Sequence, residues 1–193
     1  SLDKLITLAP FGVSDDVPRK TRPAIKGVVP GIADDDELIL WGGGIYNWFD
    51  PLTLIRAVDK LRARRPKVRL FFLGVQHPNP NVPEMRMVVE ARRLANELGV
   101  NGTHVFFNET WVAYDDRQNH LLEADIGVST HYDHVETAFS FRTRILDYLW
   151  VGLPIVTTGG DSFADLIAER PLGLTVPAED VDALEQALFT LLD

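Results

Sequence analysis

The stretch Phe139-Ser-Phe-Arg-Thr-Arg-Ile-Leu-Asp147-Tyr-Leu-Trp-Val-Gly152-Leu-Pro154-Ile-Val-Thr-Thr-Gly-Gly160 reads as a helix running straight into a buried strand. Ser140 is placed to cap the free amides of the first turn. Gly152 supplies the stop, and Pro154 bars continuation. Phe141, Ile145 and Leu149 recur at i, i+4 and i+8, marking one core-facing stripe. Arg142 and Arg144 fall in the first turn, where the helix dipole already places partial positive charge, so both are slightly unfavourable there. Free amides, dipole and two guanidiniums together make a site for an anion, most naturally a phosphate or diphosphate. Thr143 and Asp147 lie one turn apart on the same face. A carboxylate one turn deeper suits the hydroxyls of a ribose attached to that anion. The plainer alternative leaves the arginines in solvent or paired with Asp133 or Glu136, contacts of small energy.

Outward from this stretch, apolar runs alternate with segments of helical period. Strands are expected at 38–42, 68–73, 104–107, 126–129, 154–158 and 172–176. Between and after them, helices are expected at 50–65, 87–98, 115–123, 162–168 and 181–191, with loops at 76–83 and 130–139. This alternation implies parallel pairing with right-handed crossovers: an α/β, doubly wound, mostly parallel sheet of about six strands, Rossmann-like in architecture. Ligands of such sheets sit beyond the carboxyl ends of the strands. Gly42-Gly43-Gly44, the 130–139 loop and residues 157–162 all fall there, and this shared address favours the anion site over solvated arginines. Residues 1–37 differ. Leu5 to Val13 holds a short strand and a turn, and 14–36 mix acids, bases and prolines without period, as a linker or crossover from an upstream domain would. Residues 38–193 form the domain itself, and Asp34-Asp-Asp36 is expected to be a solvated turn.

Composition narrows the function. The net charge of −9 argues against general nucleic-acid binding, so a phosphate site must be a local cationic pocket in an acidic envelope. No apolar run approaches membrane-spanning length, no signal-peptide pattern opens the chain, and the absence of cysteine excludes disulfides and thiolate metal sites. Trp48 and Trp111 lie just after strand ends, where each either packs over the sheet edge or stacks on a base or sugar. Trp150 reads as core, and Asp115-Asp116 as a helix cap. His131, Asp133 and His134 form only a weak metal pattern. In a dinucleotide fingerprint starting at Gly42, the third glycine falls on Asn47, a poor match.

With these pieces in order, the chain resembles the C-terminal, donor-binding domain of a group 1 glycosyltransferase of GT-B architecture. The resemblance runs from Pro10-Phe-Gly-Val13 to the last helix. Leu146-Asp147-Tyr-Leu-Trp-Val-Gly152-Leu-Pro154-Ile-Val is similar to the second half of the family's signature, two glutamates seven residues apart followed by "Ala-Met-Ala-x-Gly-x-Pro-Val-Val". Gly159-Gly160 and Leu172 to Pro177 are similar to its closing segments. The resemblance implies a retaining transferase that binds a nucleotide diphosphate sugar. Asp147 stands where the second glutamate grips the ribose, and the amides of Ser140, Phe141, Arg142 and Thr143 would hold the diphosphate beside Gly43 and Gly44. Glu136 is the candidate for the first acid, which contacts sugar hydroxyls, although ten residues rather than seven separate it from Asp147. The family usually places an Arg after the first strand and a Lys soon after, both on the phosphates. Here those places hold Gly43, Gly44 and Tyr46-Asn-Trp48, so Arg142 and Arg144 are expected to supply the charge from the opposite loop. The resemblance further implies no cofactor or metal, and an acceptor glycan, lipid or small molecule held by an N-terminal domain. Its setting is the bacterial cytoplasm or, for the full-length protein, the inner membrane face. An NAD-binding domain and a non-catalytic domain with a degenerate site are the alternatives.

Overall fold

The computed structural model describes residues 11–76, 79 and 81–193. Positions 5–10 of the strand and turn expected at Leu5 to Val13 lie outside them, as do positions 77, 78 and 80 of the 76–83 loop. Six strands form one sheet: β1 (Glu37–Gly44), β2 (Val68–Gly74), β3 (Val105–Phe107), β4 (Ile126–Ser129), β5 (Ile155–Thr158) and β6 (Gly173–Val176). Every neighbouring pair is parallel, in the order β3-β2-β1-β4-β5-β6. Helices α1 (Pro51–Leu61) and α2 (Arg86–Glu97) follow β1 and β2, and α3 (Arg117–Leu121) follows β3 through a 3-10 turn, Tyr114–Asp116. Two helices, α4 (Val135–Phe139) and α5 (Thr143–Val151), lie between β4 and β5. Then α6 (Ser162–Glu169) links β5 to β6, and α7 (Val181–Leu191) is the last.

The period of two along each strand builds two cores. Ile39, Trp41, Leu70 and Phe72 join Leu54, Val58, Ala91 and Leu188 beneath α1, α2 and α7. Leu38, Leu40, Phe71 and Leu73 join Leu121, Ile145, Tyr148 and Ile167 beneath α3, α5 and α6. Buried along β4 and β5 and through the middle of β1 and β2, these strands read as near-continuous apolar runs, as parallel sheets require.

Strand order reverses between β1 and β4, and this is where a doubly wound sheet forms its crevice. The two strands pair only at Ile39↔Ile126 and Leu40↔Gly127 before they part. Tyr148 of α5 fills the fork. Its hydroxyl accepts from Gly42 N at 2.8 Å and is within donating distance of the carbonyls of Val128 (2.9 Å) and Leu40 (3.1 Å). Its ring leaves no room for side chains at Gly127 or Gly42, where a Cβ would come within 2.5 and 2.9 Å of it.

Residues 11–36 contain no helix or strand but are bound to the domain. Glu123, just before β4, accepts from the amides of Ala24 (3.1 Å), Ile25 (2.6 Å) and Lys26 (2.9 Å), and pairs with Lys20 at 2.7 Å. Burial alone would raise its carboxyl pKa, but Lys20 and the three amides outweigh it and hold the group below its ordinary value. Ile25 is thereby driven into the second core. Asp34-Asp-Asp36 is not simply a solvated turn: Asp36 is buried, accepts from Ala33 N at 2.7 Å and pairs with Arg69 at 3.1 Å. Asp116 pairs with Arg22 instead of capping α3 with its side chain. Trp150 is half-buried under the same segment, its Nε1 donating to Asp16 O at 2.8 Å.

Candidate functional site

Three loops meet at the carboxyl end of the sheet around the fork. Asp50 N donates to Thr130 O at 3.0 Å, and Thr130 Oγ1 returns a bond to Asp50 O at 2.5 Å. His131 N donates to Thr158 Oγ1 at 3.2 Å, joining the loops after β4 and β5. The chain between β4 and α5 is not all loop, because residues 135–139 form α4. Ser140 therefore ends one helix and does not cap the next. Helix α5 starts at Thr143, with Arg142 at the capping position and no side-chain cap. The stop is as the sequence indicates, with Gly152 in the left-handed conformation at φ 74°.

Both first-turn arginines are buried, contrary to the solvated alternative. Arg142 Nε donates to Asp161 Oδ2 at 2.9 Å, with both side chains 1 % exposed. The other oxygen of Asp161 caps α6, accepting from Ala164 N at 2.8 Å. His131 stands behind them, its Nε2 3.7 Å from Asp161 Oδ2 and its Nδ1 3.2 Å from Tyr132 O. Burial, and then the charge of Arg142, pushes the His131 pKa down. Arg144 Nη2 donates to Gly44 O at 2.8 Å, and its guanidinium carbon lies 4.4 Å from the Trp41 ring centroid and 4.2 Å from that of Phe49. Burial pulls the Arg144 pKa down to about 10, which leaves it charged at neutral pH.

Four buried polar atoms of this cluster have no hydrogen-bond partner: Arg142 Nη2, Arg144 Nη1, His131 Nε2 and Ser140 Oγ. With His131 neutral, two cations face one carboxylate. Buried donors left unpaired are costly, and the Phe49 ring, over which lie the guanidinium carbons of Arg142 (5.2 Å) and Arg144 (4.2 Å), offsets only part of the two charges. An anion at the adjoining surface would relieve that excess. Gly43 is the opening toward it, because a Cβ there would lie 3.4 Å from the guanidinium carbon of Arg144.

Beside Gly43 and Gly44 lies a cavity of about 670 Å³, walled by the ends of β1 and β2, by Met85, and by Trp111, Tyr114 and Arg117. Trp111 is 63 % exposed and forms part of the cavity wall rather than packing over the sheet. Trp48 is instead stacked on Tyr46, with centroids 4.9 Å apart. Asp147 is not in the cavity wall. Its Oδ1 accepts from Arg117 Nε at 3.1 Å, and Arg117 is the residue that reaches the cavity. Of the other residues singled out from sequence, Thr143 is exposed at the first turn of α5 and Glu136 is exposed on α4. Phe141 lies half outside, between Phe11 and Phe163.

Arg117 and Asp161 were not among the expected site residues. Asp161 carries a local signal, an Asp directly before a helix and after two glycines. Arg117 carries none, since its partner is thirty positions away. His131, expected only as a weak metal ligand with Asp133 and His134, belongs to the arginine cluster, and His134 is exposed ahead of α4.

Residues 36–193 match the family model described as Glycosyl transferases group 1. No curated protein matches the sequence. Among solved structures, the chain is similar to the C-terminal domain of a glycosyl transferase group 1 family protein (LpcC) from Francisella tularensis. That match has 15 % identity and a TM-score of 0.67, over 94 % of this chain and 88 % of that one. It is also similar to WaaG, a glycosyltransferase involved in lipopolysaccharide biosynthesis (23 % identity, TM-score 0.66, 95 % of this chain and 46 % of that one). A third is a trehalose-6-phosphate structure from E. coli bound with UDP-2-fluoro glucose (14 %, 0.58, 82 % and 36 %). The chain thus spans less than half of the latter two, and at these identities the likeness is one of fold.

Proposed function

Because the chain belongs to the group 1 glycosyl transferases, we propose that it binds the donor, a nucleotide diphosphate sugar, at the carboxyl end of its sheet. The observation that carries this reading is the pair of buried guanidiniums, each with an unpartnered N–H, beneath Gly43 and at the start of α5. A diphosphate over Gly43 and Gly44 meets that positive field together with the free amides at the start of α5. Arg142 and Arg144 take the place of the Arg and Lys that the family usually carries after its first strand. The nucleoside then extends into the 670 Å³ cavity, with its ribose toward the Arg117–Asp147 pair. The E. coli structure holding UDP-2-fluoro glucose supports this class of donor.

The chemistry is electrostatic. As the bond from sugar to diphosphate breaks, negative charge grows on the leaving phosphate, where the two arginines and the helix amides are already oriented. The leaving phosphate takes the acceptor's proton, and the configuration at the sugar is retained. Glu136, on the first turn of α4, contacts donor sugar hydroxyls. The acceptor, a glycan, lipid or small molecule, is held by an N-terminal domain, so these residues alone transfer nothing.

The NAD-binding alternative is disfavoured by α1. In a dinucleotide fold the diphosphate rests on the helix after the first strand. Here that helix begins only at Pro51, and the Asp50 carboxylate already accepts from Thr53 N at 3.0 Å.

A thermal-shift screen with UDP, GDP, ADP, their sugars and NAD tests the reading. One nucleoside diphosphate should raise the melting temperature, Arg142→Ala should abolish the shift, and Arg56→Ala should preserve it. Equal effects of the two substitutions, or stabilisation by NAD alone, would overturn it.

A further inference from the structure

We infer that Arg117, rather than Asp147, meets the nucleoside of the donor, and that Asp147 is the positioning residue that holds it there; this rests on the donor reading above. Arg117 forms part of the cavity wall and Asp147 does not. The guanidinium is tethered on several sides. Nε donates to Asp147 Oδ1 at 3.1 Å and Nη1 to Tyr114 O at 2.8 Å. Its carbon lies 3.6 Å from the Tyr114 ring centroid and 4.5 Å from that of Trp150. Trp150 is itself pinned through Nε1 to Asp16 O. Such a guanidinium is oriented before any ligand arrives, and little side-chain freedom remains to be lost on binding. Nη2 makes no bond to a described residue, so its N–H groups are left for a ligand.

The placement has a cost that points the same way. Arg117 is the first residue of α3, where a cation opposes the helix dipole. Asp147 offsets that charge, and this use of its Oδ1 explains why it stands outside the cavity. An aspartate is also one methylene shorter than the glutamate that the family carries at this position. The direction of the hydrogen bond is therefore reversed. A carboxylate would accept from ribose hydroxyls, whereas a guanidinium donates only, so Arg117 selects acceptor oxygens. On a nucleoside these are the ribose oxygens or a base carbonyl. The exposed side chain of Trp111 in the same wall offers the base an aromatic surface to stack on.

Calorimetric titration of this chain with the nucleoside diphosphate found in the screen, with its 2′,3′-dideoxy form and with pyrophosphate tests the assignment. Arg117→Gln should weaken the nucleoside diphosphate by roughly tenfold or more, the loss of a charge-assisted hydrogen bond, and leave pyrophosphate unchanged. Asp147→Asn should cost less and add nothing in the Arg117→Gln background. A loss that shrinks with the dideoxy compound assigns the ribose oxygens, and one that persists assigns a base carbonyl. If Asp147→Asn costs more, and keeps its cost in the Arg117→Gln background, Asp147 is the contact and the inference fails. If the unsubstituted chain binds no nucleotide, the donor reading fails first. Should Arg117→Gln not fold, Arg117→Lys keeps the charge, removes the fork and serves as the test.

Discussion

Two buried ionic clusters lie at opposite ends of the sheet, and they are finished to different degrees. Before β4, Glu123 accepts three amides and a lysine, and neither of its oxygens lacks a partner. Beyond β4 and β5, Arg142 and Arg144 are just as enclosed, yet each leaves a guanidinium nitrogen unpaired, and His131 Nε2 and Ser140 Oγ also lack partners. Both clusters tie distant stretches of chain together. The first is saturated and holds residues 20–26 in place. The second has an excess of positive charge and donors without acceptors, which lowers stability and leaves a function open.

The contrast can be broken most forcefully at Asp161. Asp161→Ala removes the carboxylate that pairs with Arg142, leaves that guanidinium buried and unpaired, and uncaps α6. The expected loss is about 3–5 kcal/mol in denaturant unfolding. Next in size is the response to an anion. Pyrophosphate at one hundred times its dissociation constant should stabilise the unsubstituted chain by about 2.7 kcal/mol, and the double variant Arg142→Ala/Arg144→Ala hardly at all. Equal stabilisation of both chains would place the anion elsewhere. Glu123→Gln turns a donor toward donors and should cost about 1–3 kcal/mol, while nucleotide affinity, read by titration, stays the same. A parallel fall in affinity would mean that the two clusters are coupled. Acid should act in the same direction on the upper cluster. The folded-state pKa of His131 is depressed, so the unfolded chain binds more protons below about pH 6.5. Stability should decline as pH falls from there toward the lowered value, less steeply in His131→Asn and less steeply with pyrophosphate bound. Smallest is Gly43→Ala. The nearest neighbours of its new methyl are atoms of the Arg144 side chain, at an ordinary contact distance of 3.4 Å. Stability should change by under about 0.5 kcal/mol, yet pyrophosphate binding should weaken because the opening is covered.

The sheet was legible because its determinants are local. Apolar runs broken by glycine, a Pro51 start behind Asp50, and a left-handed Gly152 each act within a few residues. The site was legible in part for the same reason: three loops at strand ends, and two arginines placed where a dipole does not favour them. What escaped is non-local or a competition between local signals. Ser140 is a good cap, but Val135 to Phe139 had already formed a helix of their own, so the next began at Thr143. Asp36 looked solvated until Arg69, on the neighbouring strand, came within 3.1 Å. Arg117 and Asp147 meet only because α3 and α5 lie side by side, and no spacing announces that.

Tyr148 acts as a dowel driven through two planks. It passes from α5 into the gap where β1 and β4 separate, and glycines on both planks form the hole that receives it. A dowel sets alignment as well as grip. With the ring seated, α5 cannot turn by one residue or slide by one rise without withdrawing it. The height of Arg142 and Arg144 above the glycine loop is thus gauged by a part that never touches a ligand. Tyr148→Phe keeps the peg and loses its bonds, whereas Tyr148→Ala leaves the hole empty; the second should loosen phosphate binding well beyond the first.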